Sequence, residues 1–302
     1  MKIIPLSKNK TLSLPDCWED LTPDEALATV AILERLFSGE IDPVQARLEM
    51  LFCYTGYKPN PFIRNSRIRE NIHFNLFRLS EQLNFAFRIE QTEGSPVKRI
   101  VPQFDFRRNP LPFVLIDKVK YAGKIFNLDI TAKTDIRAKE FVDAFDLYSA
   151  YYSLTAPEDK EECLNQLCAI LYPACPDHHR NLVSGQIERM RQLDSNKKRL
   201  ILSWFSGIVN FYTTHPVYSL LFYGKKDGEN SDEKVKLGMN EVALYLTKEG
   251  YGNVDAMPLN DYFDAQIKSL KDTINKALSA KIKPLELTRQ TGIPVSTIMK
   301  LS

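Results

Sequence analysis

Residues 197–222 form the most demanding stretch of the chain. Read as a helix, this segment is apolar on most of its sides. Such a helix cannot lie on a surface, because it has no polar face to give to water. Other elements must wrap it, so the fold is built around helix packing. Pro216 has no backbone donor and clashes with the preceding turn, so it should kink or divide the helix. Polar residues and Pro216 interrupt this window, and 141–154 is interrupted too. Neither is an unbroken run of about 20 apolar residues, so no transmembrane helix is expected.

The remaining periodicities supply the wrapping. Thr22-Pro23-Asp24-Glu25 reads as an N-cap, a proline at the first helical position and the acid of a capping box. Behind it Leu27, Val30, Ile32, Leu33, Leu36 and Phe37 make an apolar face, and Ser38-Gly39 ends the helix. Asp42-Pro43 starts a second helix to about Cys53, with Val44, Ala46, Leu48, Leu51 and Phe52 inward, and the two form a hairpin. Ile68, Ile72, Leu76, Leu79 and Leu83 predict a helix near 68–83. From Asp135 onward the chain is expected to be helical, with Phe141, Phe145, Leu147 and Tyr148 spaced for one face, then helices at about 158–171, 179–192, 233–249 and 259–280, with a polar loop over 224–232 and a break at Gly250-Tyr251-Gly252.

Between these helices the period changes. Phe85, Phe87 and Ile89 alternate, Gln91–Pro96 makes a turn, and Ile100–Phe104 runs as a strand. Lys118–Tyr121 and Lys124–Leu128 flank Ala122-Gly123, which reads as a tight hairpin. A small antiparallel sheet is therefore expected within 84–135, and a short strand or loose arm over 1–14. The fold class is mainly α (α+β): a multi-helix protein with a small antiparallel β insertion and a helix-turn-helix-like end. Four segments follow: an N-terminal arm and helical hairpin (1–60), the sheet-bearing segment (61–135), a helical core (136–225) and a C-terminal helical region (226–302).

Composition narrows the function classes. The chain has 302 residues, 26% of them charged, and a net charge of +2. No overall field draws it to nucleic acid or to anionic membrane, so such binding needs a local patch. The five cysteines are odd in number in a long chain, which argues against a disulfide framework. The N-terminus has no apolar core of signal-peptide length, and a cytoplasmic location is expected.

Four groups of residues carry candidate chemistry. The first is Pro284–Ser302. Gly292 supplies a turn, Leu285, Leu287 and Ile293 face inward, and Ile298 and Leu301 anchor a second helix opened by Pro294 or Val295. The spacing resembles the repressor-type helix-turn-helix of bacterial regulators, with Thr288 where alanine is usual. Arg289, Ser296, Thr297 and Lys300 would then be the DNA-contacting residues, backed by Lys268, Lys271, Lys276, Lys281 and Lys283. The bland alternative is a two-helix turn that packs on the long helix through the same apolar positions.

The second group is Cys163, Cys168, Cys175, His178 and His179. The first two thiols sit about 140° apart on a helix, unlike zinc ligands, and read as small core residues. The third is Asp135, Glu140, Asp143 and Asp146, which a helix N-terminus explains without catalysis. His73, His178, His179 and His215 have no assignable partners, and no phosphate loop or nucleophile motif appears. The fourth is the aromatic load of Phe205, Phe211, Tyr212, Tyr218, Phe222 and Tyr223, read first as core and second as an interface. No catalytic residue, metal or cofactor is expected.

Two stretches carry a resemblance. Leu14-Pro15-Asp16-Cys17-Trp18-Glu19-Asp20-Leu21-Thr22 is similar to the "LPxxWxELT" start of small tail-assembly and virion-associated proteins. Ala138–Ala144 with Leu167–Pro173 resembles their "EFIDA … AILYRP" pattern. The family is that of phage and prophage morphogenesis proteins of Bacteroides-type phages. It implies a structural or assembly role through protein contacts, in the cytoplasm or on the virion, with phage structural proteins as partners and no catalytic residues. DNA binding through the C-terminal motif is the alternative function.

Overall fold

The structure is a computed structural model, and it describes residues 1–7, 10–58, 60, 62, 65–91, 98–127, 133–174, 184–222, 256–291 and 293–301. The chain is mainly α, with small antiparallel two-stranded sheets. It divides into two compact units. One comprises Met1–Gly123 and Ser184–Gly207, the other Lys124–Val183 and Ile208–Ser302.

The first unit opens with a hairpin of β1 (Lys2–Ser7) and β2 (Lys10–Leu14). Of the two readings of this segment, strand or loose arm, the structure has the strand, doubled into an antiparallel pair. Trp18 follows on a short 3-10 turn and is buried. Its indole N–H donates to the Gln103 carbonyl at 2.7 Å, and its ring stacks on Phe106 at 4.3 Å and meets Phe85 edge-on at 5.6 Å. The tryptophan is therefore a long-range anchor, tying the start of the chain to residues some eighty positions on.

Helix α1 (Pro23–Phe37) begins at Thr22, whose hydroxyl accepts from the Glu25 amide while the Glu25 carboxylate accepts from the Thr22 amide. That is the expected capping box. Val30, Ile32, Leu33 and Leu36 are buried as expected; Phe37, one step past the packed stripe, is exposed. Asp42 accepts from Val44 and Gln45 to start α2 (Pro43–Thr55), and Gly56, with φ of 63°, closes it in the left-handed region. Val44 is exposed, and Met50 takes a place in the core instead. Tyr54 and Thr29 share a 2.6 Å hydrogen bond between the two helices.

Helix α3 (Ser66–Ser80) packs beside α2, yet Ser80 is its one buried residue. The stripe Ile72, Leu76 and Leu79 is half-buried and Ile68 is exposed. Next come two hairpins, β3 (Phe87–Gln91) with β4 (Lys98–Pro102), and β5 (Phe113–Ile116) with β6 (Val119–Ala122). The expected turn at Ala122-Gly123 is displaced. The chain reverses at Asp117-Lys118, where φ is 48° and 67°. Both values are positive, as a two-residue type I′ turn demands. Glycine was the wrong guide because aspartate tolerates this region. Asp117→Asn with Lys118→Gly should raise stability by about 1 kcal/mol, read as a higher urea midpoint. An unchanged or lower midpoint would refute this turn geometry.

Helix α6 (Ser184–Arg191) and residues 195–207 of α7 (Ser195–Thr214) complete the first unit. Gly207 sits where α7 meets the backbone of residues 104–106.

The second unit holds β7 (Phe126–Asn127) paired with β8 (Lys133–Thr134), α4 (Ala138–Ser153), α5 (Pro157–Leu171), the end of α7, and α8 (Leu259–Ser279). The anticipated single sheet within 84–135 is thus several separate hairpins. The long apolar helix ends at Thr214 rather than running to 222. Pro216 follows, and residues Tyr218–Phe222 continue as a 3-10 turn. Phe141, Tyr212, Tyr262 and Phe263 are fully buried and form the centre of this unit. The turn over 92–96, the loop over 224–232, the helix at 233–249 and the break at 250–252 lie outside the described residues. No helix among the described residues is long and apolar enough to cross a membrane.

Candidate functional site

Helix α8 ends in a turn that sets up the C-terminal element. Lys281 adopts φ of 60°, its amide donates to Leu278, and the Ile282 amide donates to Ala277. This is a Schellman closure with lysine in the place glycine usually fills. Pro284 then opens α9 (Pro284–Thr291), and the Pro294 carbonyl receives the first amides of α10 (Val295–Leu301). Ile274 of α8, Leu287, Ile293 and Ile298 bury together, with Leu270, Ala277, Leu278 and Ile282 packed around them.

The sequence-predicted positions sort as follows. Leu287, Ile293 and Ile298 are inward; Leu285 is 58% exposed. Two residues apart on a helix means about 200° of rotation, so Leu285 and Leu287 cannot share the packed side. Gly292 and the Leu301 side chain lie outside the described residues. Thr288, at the usual alanine position, turns its hydroxyl onto the Pro284 carbonyl at 3.1 Å. The hydroxyl thus has its hydrogen bond within the helix. Arg289, Ser296 and Lys300 are exposed, and Thr297 is half-buried. Ser296 and Lys300 share a helix side by their i,i+4 spacing. Val295 and Met299, also exposed, form the adjoining stripe. Lys268, Lys271, Lys276, Lys281 and Lys283 are exposed as well. Residues 266–302 contain seven lysines and arginines against two acids, a local excess of positive charge.

The other candidates have structural duties. Cys168 is buried and Cys163 half-buried. Cys175, His178 and His179 lie outside the described residues. Among the described residues no three His, Cys, Asp or Glu side chains are placed to hold a metal. Burial pushes the Cys17, Cys53 and Cys163 thiols up, which is the opposite of what a nucleophilic thiolate needs.

Of the acids, Asp135 accepts from the Ile125 amide at 2.6 Å and Asp143 pairs with Lys139. Burial, then the Asp143 carboxylate, pushes Asp146 up. Glu140 closes the start of α4 by accepting from the Arg137 amide and forms a 2.7 Å ion pair with Lys124. His215 Nδ1 accepts from the Val217 and Tyr218 amides, which fixes the turn after α7, while His73 is exposed on α3.

The aromatic load is chiefly core. Tyr212 packs on Phe263 at 4.4 Å and donates to Asn260 at 2.7 Å; Tyr218 donates to Asp264 at 2.9 Å. Burial raises the Tyr212 and Tyr54 phenols, and Tyr218 and Tyr262 are pushed up to about 12. In each the native state holds a proton that the unfolded chain releases near the ordinary phenol value of about 10. Their contribution is intact below that pH and is lost as pH rises toward 12. The urea midpoint should therefore fall across this window, in step with phenolate absorbance. A flat midpoint would show these phenols to be unperturbed.

One surface was not singled out by the sequence reading. On α3, Phe74 and Phe77 are 61% and 40% exposed, and Phe62 just before the helix is 85% exposed. Phe74 and Phe77 lie opposite the Ile68–Ile72–Leu76–Leu79 stripe on a helical projection. Arg78 stacks over Phe74 at 5.8 Å. The available signal was this second apolar pair at i,i+3, hidden beside the stronger stripe. Compared with protein-family models, with curated proteins and with solved structures, the chain matches none of them.

Proposed function

We propose that the chain is a non-enzymatic interaction protein, an assembly factor or minor structural component of a phage or prophage, working in the cytoplasm or on the virion. The observation that carries this reading is the outer side of α3. Phe74 and Phe77 stand in water on a regular element, with Phe62 exposed just before it. Ordered aromatic side chains beside arginines are the usual anchors of protein contacts. The "LPxxWxELT"-like and "EFIDA … AILYRP"-like stretches point to the class of partner. The test is pairwise co-expression with the products of neighbouring genes, using wild type and Phe74→Ser/Phe77→Ser. A complex weakened about 30-fold or more by the double substitution is expected. No complex with any of them, or one indifferent to the substitutions, would count against this role.

A second reading has its own support. Arg289, Ser296 and Lys300 stand exposed on the docked α9–α10 pair, with five exposed lysines nearby on α8 and the turn after it. DNA binding through this element would weaken steeply with salt, and Lys281→Ala or Lys283→Ala would each reduce the salt slope by about 1. Salt-independent binding, or none, removes this reading.

A further inference from the structure

Positive and negative charge are strongly segregated along this chain. Residues 57–78 hold five lysines and arginines against one acid. Residues 139–162 hold seven acids against two lysines. The first set is the α3 region with its exposed phenylalanines. The second is the α4–α5 hairpin, whose tip joins the end of α4 to the start of α5 through residues 154–156. At that tip Tyr152 is 57% exposed, and Glu158 and Asp159 are exposed on the first turn of α5. Tyr152 lies against Tyr148 at 5.0 Å and Tyr151 at 5.2 Å, so the end of α4 presents a cluster of rings, with the Lys160 ammonium over Tyr151 at 5.5 Å.

The two surfaces complement each other in kind. One offers Arg67 and Arg78 on the helix side of Phe74 and Phe77; the other offers Glu158 and Asp159 on the first turn of α5 and Tyr152 near the end of α4. Guanidinium groups pair with carboxylates and stack on aromatic faces. Both surfaces are exposed to solvent.

We propose that the occupant of the α3 face is a second copy of this chain, docked through its α4–α5 tip. The inference rests on the interaction reading above and names its partner. The two patches differ, so the contact is head-to-tail. Such a contact does not close on itself as a two-fold dimer does; it continues into a ring or a filament. Charge brings the copies together, and the rings supply the anchoring contact once water is excluded.

Sedimentation velocity and light scattering on the full chain test this. At about 0.01 M salt, where the Debye length is ~30 Å, the mean mass should rise with concentration beyond that of a dimer. At about 1 M, where it is ~3 Å, the mass should fall toward the monomer. Arg67→Glu/Arg78→Glu keeps the acidic tip and loses the basic face. Glu158→Lys/Asp159→Lys does the reverse. Each should be monomeric alone.

The decisive arm follows from their mixture. The intact tip of the first variant meets the intact α3 face of the second, so the two should form a one-to-one pair that grows no further. Circular dichroism shows whether each variant is folded. Should one fail to fold, Phe74→Ser/Phe77→Ser replaces the first and Tyr152→Ser the second.

Three results overturn the proposal: a wild type that is monomeric throughout, variants that still self-associate, or a mixture that does not pair. If the wild type is monomeric but the α3 variants lose binding to a neighbouring gene product, the interaction reading stands and the self-partner falls. If α3 substitution lowers the melting temperature of a strictly monomeric protein, the face is covered by the chain's own residues, which also overturns it.

Discussion

Gly207→Ala is expected to destabilise the protein by about 3 kcal/mol, a single methyl group with the effect of a gutted core residue. A Cβ built at this position lies 2.2 Å from the Phe104 carbonyl oxygen and 3.3 Å from the Phe106 amide nitrogen. These are backbone atoms, so they cannot rotate away as the end of a side chain would. Helix α7 must move off, and the strain passes to Phe104 and Phe106, against which Trp18 is packed. Alanine gains about 1 kcal/mol of helix propensity over glycine, which is too little to compensate. Gly185, in α6, is the control: nothing lies within 4 Å of its Cβ position. There the same substitution should stabilise by up to about 1 kcal/mol. Urea unfolding followed by circular dichroism reads both. Equal stability of Gly207→Ala and wild type would mean that α7 does not approach the 104–106 backbone this closely.

Lys124→Met should cost about 3–5 kcal/mol, because it removes one partner of a buried ion pair. The Lys124 and Glu140 side chains are 6% and 12% exposed and meet at 2.7 Å. Glu140 has a second task, receiving the Arg137 amide at the start of α4, so its position is fixed whether or not the lysine is present. It cannot swing out to find water without uncapping the helix. Glu140→Leu takes the carboxylate from the buried ammonium and loses the cap, worth about 1 kcal/mol. The double substitution removes both charges of the pair. Its cost should therefore fall short of the sum of the single costs by about 2 kcal/mol or more, the mark of a coupled pair. Additive costs would show that the two side chains do not depend on each other.

Much of the local structure was legible because its causes are local. The capping box at Thr22 and Glu25 depends on residues three apart, and Pro216 ends α7 through its own missing amide. The C-terminal pair of helices follows from apolar spacing within fifteen residues or so. The failures have longer-range causes. Trp18 could be read as a staple at a helix start, yet it is held by Phe85, Gln103 and Phe106. The Asp117-Lys118 reversal was overlooked because a glycine stood five residues later. The α3 phenylalanines looked unremarkable, since a sequence with two apolar stripes on one helix does not say which is covered. For the candidate site, burial decides the matter: Leu285 and Leu287 are equivalent as residues and opposite in place.

The core beneath α9 and α10 is small, made of the four buried side chains Ile274, Leu287, Ile293 and Ile298. The aromatic centre around Tyr212 and Phe263 is far larger. Cooperative units with few apolar contacts open at lower free energy than the whole. The amides of Leu287 and Ile298 should therefore exchange with deuterium well before those of Phe141 or Tyr212. In a cell, this offers these two helices to proteases and chaperones before the aromatic centre of the same unit. Losing them would leave the larger core standing, so the element behaves as a removable module whose presence can be controlled separately from the survival of the protein.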